Sequence, residues 1–344
     1  MTAAGESSAR RRRASGSGAG RPEGAGRPPA GEADTADLRL PRLQEGARPQ
    51  HLIITLFGDY WWGNTEHLPS AGLVALVSEF DISATSARAA LSRLGRRGLL
   101  TSSKAGRRTF YGPTPRTEVV MREGADRIFS FGVDDASPWD GTWLVVAFSV
   151  PEEQRDVRHA LRMRLRWLGF AALYDGVWVS PRADAGATEQ AIRDCGVQQA
   201  SIFRATSMYS AAGSGLGRHP LSAWNLDELR RSYDDFIKRF EPVYERVVSG
   251  EIRAWEALVE RTAIMDTWRV FPALDPDLPA EVLPDGWPRQ RAHEIFAQVY
   301  DSLGPLAEAR FRQIISKYSP ELAGLAHHLT TRARARPGGY RVAG

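Results

Sequence analysis

An Asp175-Gly176 pair separates two apolar runs, 170–174 and Val177–Ser180. Two such turn residues between apolar runs are a strong hairpin signal, because the tight turn needs positive-φ backbone that matches the twist of its strands. The flanks then narrow the fold. Upstream, 142–150 carries almost no polar side chain and reads as a strand covered on both faces. Pro151 and Glu152 open a helix with Val157, Leu161, Leu165 and Leu168 inward and Arg155, Arg158, Arg162 and Arg166 outward. A helix over 184–194, with Asp184 as its cap, and a strand near 200–205 complete the order β-α-β-β-α-β. That is the split-βαβ, ferredoxin-like order, assigned to residues 137–207.

The preceding segment, 49–131, has another rhythm. Ile53, Leu56, Phe57 and Tyr60 follow helical spacing, and Gly63-Asn64 stops that helix. Pro69 and Ser70 open a second helix with Leu73, Leu76, Val77 and Phe80 on one side. After the turn Asp81-Ile82-Ser83, Ser83 caps a third helix over 84–97, whose apolar stripe is Ala87, Leu91 and Leu94. Two short strands, 99–101 and 109–111, flank Ala105-Gly106-Arg107. Helix, helix, tight turn, helix and hairpin is the order of a winged helix-turn-helix.

Residues 222–328 read as helical. Leu229, Tyr233, Phe236, Ile237 and Phe240 share one face, Trp255, Leu258, Val259, Thr262 and Met265 a second, and Ile295, Phe296, Val299 and Tyr300 a third. A loop over 271–289 holds five prolines, and so long a loop in a compact domain is functional or rigidly packed. Residues 1–48 are expected to be a disordered tail, since 23 of the first 36 are Ala, Gly, Pro or Ser. Residues 208–221 read as a linker and 329–344 as a flexible tail. The class is therefore α+β, in three domains.

Charge separates the segments further. The formal net charge is only +4, yet 82–122 holds nine basic residues against one acid, Glu118. Residues 222–328 carry 18 acids against 13 bases. One strongly basic segment in a mildly acidic body suits a polyanion partner at one place. Only three of the 45 basic residues are lysine, so the shortage of acids is the signal, rather than arginine itself. The single cysteine, Cys195, can form neither an internal disulfide nor a cysteine-type zinc site, which fits a cytoplasmic location. No apolar run approaches a bilayer span, so no membrane partner is expected.

The third helix carries the sharpest functional signal. Thr85, Ser86, Arg88, Ala89, Ser92 and Arg93 lie off its apolar stripe and suit base edges and phosphates in a major groove. Arg96, Arg97, Lys104, Arg107 and Arg108 extend the positive surface to the helix end and the wing tip. Catalytic patterns are weak. The seven histidines are scattered, with His327-His328 read as a solvated end, and Gly213 to Gly217 follows no strand, so it is read as linker. No enzyme, cofactor or metal site is expected.

These features coincide in a known family. Residues 88–94 (Arg-Ala-Ala-Leu-Ser-Arg-Leu) followed by Arg97-Gly98-Leu99-Leu100 resemble the winged-helix domain of the phenylacetic-acid catabolism repressor family, PaaX. Trp139-Asp140-Gly141-Thr142-Trp143, Leu168-Gly169-Phe170 and residues 175–181 (Asp-Gly-Val-Trp-Val-Ser-Pro) are similar to its central domain. Trp224-Asn225-Leu226-Asp227, residues 274–279 (Leu-Asp-Pro-Asp-Leu-Pro), Leu283-Pro284 and Trp287 are similar to its C-terminal domain. The resemblance implies a transcriptional regulator, typically a repressor, some members being released from DNA by an acyl-CoA such as phenylacetyl-CoA. One recognition helix reads only a short half-site, so a homodimer on an inverted-repeat operator in double-stranded DNA is expected. An acyl-CoA needs an apolar slot and cations for its phosphates. Trp268, Arg269, Leu278, Leu283, Trp287 and Arg289, around the proline-rich loop, are the nominees. The central order is also similar to the Cas2 nuclease fold, in which an aspartate closing the first strand helps hold metal. Ser149 stands at that position, which weighs against the rival Cas2-like nuclease. An acyl-CoA enzyme with an attached DNA-binding domain is the other rival, and no nucleophile-base pair supports it.

Overall fold

The computed structural model describes residues 48–133, 139–206 and 219–334. The expected N-terminal tail, Arg48 apart, and the Gly213–Gly217 run lie outside the described residues.

The chain enters through α1 (Arg48–Tyr60), a two-residue strand β1 (Leu68–Pro69), α2 (Ser70–Ser78) and α3 (Ala84–Arg96). The hairpin β2 (Leu100–Ala105) and β3 (Arg108–Pro113) follows, and β3 also pairs β1, giving the sheet order β1-β3-β2. Asp81 adopts a φ of 60° between α2 and α3, a left-handed value that Asp tolerates better than most residues. Gly106, at a φ of 59°, turns the hairpin where Ala105 pairs Arg108. A further helix, α4 (Pro115–Ser130), was not among the expected elements. Its start is nonetheless written in the chain: Thr114 accepts a bond from the Thr117 amide, and Pro115 takes the first helical position.

The central segment runs β4 (Trp143–Ser149), α5 (Arg155–Trp167), β5 (Ala171–Tyr174), β6 (Val177–Ser180), α6 (Ala185–Asp194) and β7 (Gln199–Ala205). The sheet order is β5-β6-β4-β7 with every pair antiparallel, the split-βαβ arrangement. Asp175-Gly176 makes the β5–β6 turn, although neither residue takes the positive φ expected there, and Asp184 caps α6 by accepting from the Ala187 amide at 2.7 Å. Leu144 and Val146 of β4 face α5 and α6, against Leu161, Leu165 and Ile192. Trp143 faces the other way, against Trp139, Leu221 and Trp224. Leu221 and its neighbours, placed in a linker by sequence, form a short 3-10 turn (Pro220–Ala223) on that second face.

The third segment holds α7 (Leu226–Val248), α8 (Ala254–Trp268), α9 (Phe271–Leu274), α10 (Arg289–Ser316), α11 (Pro320–Ala323) and α12 (Thr331–Arg334). Three sequence expectations are corrected here. Trp255 does not join the inner face of α8 and is 49% exposed, whereas Arg261 on the same helix is fully buried. The buried face holds two polar residues, Arg261 and Thr262, while apolar Trp255 lies off it, so hydrophobicity alone misplaces the face. Residues 329–334 are not a free tail: the Leu329 carbonyl accepts from Arg261 at 2.6 Å, and Thr331 bonds Asp301 through its amide and hydroxyl at 2.8 and 2.7 Å. His328 is likewise no solvated end, since its Nδ1 lies 2.6 Å from Glu308 and its ring packs over Gly304.

One apolar core joins the first segment to the third. Tyr60 stacks on Phe311 with ring centres 5.0 Å apart, Phe129 lies 5.7 Å from Tyr300, and Phe131 lies 5.8 Å from Trp268. A bidentate pair from Arg310 to Glu79, at 2.9 and 2.8 Å, fastens α10 to the end of α2.

Candidate nucleic-acid interface

Helix α3 is held by one face only. Ala87, Ala90, Leu91 and Leu94 are buried against α1 and α2, and the Ser83 hydroxyl caps the first turn by accepting from the Ser86 amide. This packing turns Thr85, Ser86, Arg88, Ser92, Arg93 and Arg96 outward, with Ala89 half-buried. Arg97 follows the helix, and its Nη1 donates to the Gln50 side chain on α1 at 3.2 Å. Lys104, Arg107 and Arg108 are exposed along the hairpin, and Arg107 and Arg108 line one cleft with Arg88 of α3.

The six effector nominees are not gathered into one cavity. Trp268 is in the core, stacked on Phe296 at 4.9 Å, and its ring nitrogen donates to the Ile128 carbonyl. Leu278 is buried, and Leu283 is half-buried beyond the turn over Ala280–Val282. Arg289 grips Asp275 with two bonds of 2.9 and 2.8 Å and donates to Asp277 and the Leu278 carbonyl. Tyr233 donates to the same Asp275 carboxylate at 2.6 Å and stacks on Phe271. Burial beside that carboxylate pushes the Tyr233 hydroxyl well up. Trp287 sits under the Arg230 guanidinium, 5.1 Å from its ring centre. The proline-rich loop is thus clamped by its own residues.

Arg269 points elsewhere, into a cleft between α1, α4 and α8 whose walls include Ile54, Met121, Ile128 and Met265. Its Nη1 donates to the Thr55 hydroxyl at 3.3 Å, and burial holds its guanidinium below the usual range against the pull of Asp266 and Asp59. Asp59 leads from that cleft to a buried group that sequence reasoning missed. The Tyr300 hydroxyl donates to Asp59 at 2.8 Å, and Arg261 lies 3.8 Å from the other carboxylate oxygen. Burial pushes the Asp59 carboxyl up, against the effect of Arg261, and pushes the Tyr60 hydroxyl up to about 12. Arg261 stands three residues after Leu258 and four before Met265, on the buried face of α8, and only its charge argued against burial.

Ser149 is exposed at the end of β4, and among the described residues no group of three or more His, Cys, Asp or Glu could hold a metal ion. No helix among them is long and apolar enough to cross a membrane.

Residues 48–116 match a family described as PaaX-like protein, 136–215 the PaaX protein central Cas2-like domain, and 224–313 the PaaX-like protein C-terminal domain. The chain is 25% identical over 261 residues to the transcriptional repressor PaaX of Escherichia coli (strain K12), covering 75% of this chain and 81% of that one. A solved structure, uncharacterized protein Rv0674 from Mycobacterium tuberculosis, is similar at a TM-score of 0.48 and 18% identity, over 77% of this chain and 97% of that one. With its three successive segments matched in order, this chain is a member of the PaaX family.

Proposed function

We propose that this chain is a cytoplasmic DNA-binding transcriptional regulator, acting as a repressor of a catabolic operon and carrying no catalytic step. The observation that carries the proposal is the exposed polar and basic face of α3, mounted on a buried apolar stripe beside the cationic hairpin. In this reading residues 48–131 are a winged helix-turn-helix, with α3 in the major groove and the hairpin on the backbone. The E. coli relative's description as a transcriptional repressor supports it. One such helix reads only a short half-site, so the proposed form is a homodimer on an inverted repeat, with half-sites about one helical turn apart or a multiple of it.

Selection from a random duplex library followed by anisotropy titration tests this. Replacing both Arg107 and Arg108 with Ala should weaken binding to every duplex alike. It should flatten the salt slope by about 0.9 for each phosphate that is no longer neutralised. Ser92→Ala should instead cost about 1–3 kcal/mol at one operator position. A wild-type chain that selects no common sequence sinks the operator-reading proposal.

The effector is proposed to be an acyl-CoA, phenylacetyl-CoA or a related thioester. Of the nominated cations, Arg269 lines a cleft with apolar walls among the described residues, so it now leads; at about 70 Å³ that cleft would have to open to admit the ligand. That cleft lies between the reading segment and the third segment, where an occupant would press on α1 and, through it, α3. Arg269→Ala should keep duplex affinity and lose release by acyl-CoA, with the free acids inert on both proteins. Release by free acids, or by no acyl-CoA in a panel, removes CoA sensing and leaves DNA binding standing.

A further inference from the structure

We infer that the third segment takes part in holding DNA: Lys317, at the end of α10, completes a phosphate-binding cleft with Arg88 of α3 and Arg107 and Arg108 of the hairpin. The inference rests on the DNA-binding proposal above and adds a residue from an acidic segment that sequence composition had set apart from nucleic acid.

The cleft measures about 370 Å³, and these four cations share its lining with Ser70 and Tyr318. Among the described residues, no carboxylate lines it. Among the same residues, none of the four cations is ion-paired, although many other arginines of the chain are. Unpaired like charges brought together at one exposed place repel each other, and a phosphate strand relieves that repulsion while releasing its own counterions. The cleft lies between the helix proposed to enter the groove and the hairpin proposed to touch the backbone, where the backbone of a bound duplex would run.

The position of Lys317 is fixed by packing. Ile314 and Ile315, just before it, are buried in the shared core, and Tyr318, just after it, packs over α2 at Gly72. A Cβ at Gly72 would come within 2.9 Å of the Ile315 Cδ1 and 3.4 Å of Tyr318, so a larger residue there would make the Ile315 side chain shift. The Arg310–Glu79 pair ties the same two helices two turns earlier. Lys317 therefore stands at a set distance from α3, and any shift of α10 would carry its ammonium toward or away from a bound phosphate.

The test is salt-dependent binding of the full chain to a short mixed-sequence duplex, which needs no knowledge of the operator. Lys317→Ala should weaken binding several-fold and flatten the salt slope by about one unit, as Arg107→Ala does. Lys317→Arg should retain the slope, and the melting temperature should not change, since the side chain is exposed. If Arg107→Ala flattens the slope and Lys317→Ala leaves it unchanged, the third segment stands off the DNA and the inference fails while the DNA-binding proposal survives. If the wild type binds no duplex, both fail. If pyrophosphate binds the wild type and duplex does not, the cleft belongs to a small anion and the inference is overturned.

Discussion

Replacing Arg261 with Met is expected to lower unfolding stability by about 3–5 kcal/mol, the usual cost of removing one partner from a buried ionic group. The side chain is fully buried where α1 meets α8 and α10. Its Nε donates to the Tyr300 carbonyl at 3.0 Å and its Nη2 to the Leu329 carbonyl at 2.6 Å. Its guanidinium lies 3.8 Å from the Tyr300 ring centre and 5.1 Å from that of Tyr60. Methionine keeps much of the volume and restores none of this. Two carbonyls lose that donor, and Asp59 is left buried beside Tyr300 with only the weaker pull of Arg269 to oppose its charge. Burial already pushes the Asp59 carboxyl up, and losing Arg261 pushes it further, so the site would take up a proton rather than keep a bare charge. Equilibrium denaturation gives the measurement. The double variant Asp59→Leu with Arg261→Met should recover a substantial part of the loss, because an apolar replacement for a whole buried pair is often neutral. A single-variant loss under about 1 kcal/mol would show that water already enters the site.

The contrast between α3 and Arg261 shows what a sequence can disclose. α3 has one buried face, a serine cap and a glycine after its end, so periodicity separates its inner residues from its outer ones. The central sheet was equally open to reading, because Asp175-Gly176 fixes one hairpin and Leu144 and Val146 alternate with Trp143 across β4. α8 offers no such contrast. Arg261 keeps the spacing of the buried face, three after Leu258 and four before Met265, but its charge reads as surface. Trp255 failed for the same reason, since an aromatic residue at the right spacing proved to lie outside the packed faces. The joining of the first and third segments was also hidden. Tyr60 and Phe311 are each an ordinary apolar position on their own helix, and nothing local names their partner. The cleft containing Lys317 is hidden in the same way, for its cations come from three distant stretches of chain.

Arg289→Met is expected to destabilise the chain by about 3–5 kcal/mol, through the same asymmetry between making and breaking a buried pair. The Asp275 side chain is fully buried and that of Arg289 is 14% exposed. The arginine uses all three of its nitrogens: two hold Asp275 as a fork, and the third reaches Asp277 and the Leu278 carbonyl. Asp277 sits at a φ of 53°, a costly backbone for a residue other than glycine, and its amide is held by Asp275 at 2.7 Å. Removing Arg289 therefore leaves a carboxylate supported by Tyr233 and one amide, and loosens a strained turn at once. Arg289→Lys should recover less than half of the loss, because an ammonium cannot form the two parallel bonds of a guanidinium fork. Thermal melts of the full chain, with acyl-CoA release from duplex DNA measured beside them, separate this structural role from effector binding. A lower melting temperature with release intact in the surviving folded fraction is the expected result. An unchanged melting temperature with release abolished would return Arg289 to the effector site and displace Arg269 from it.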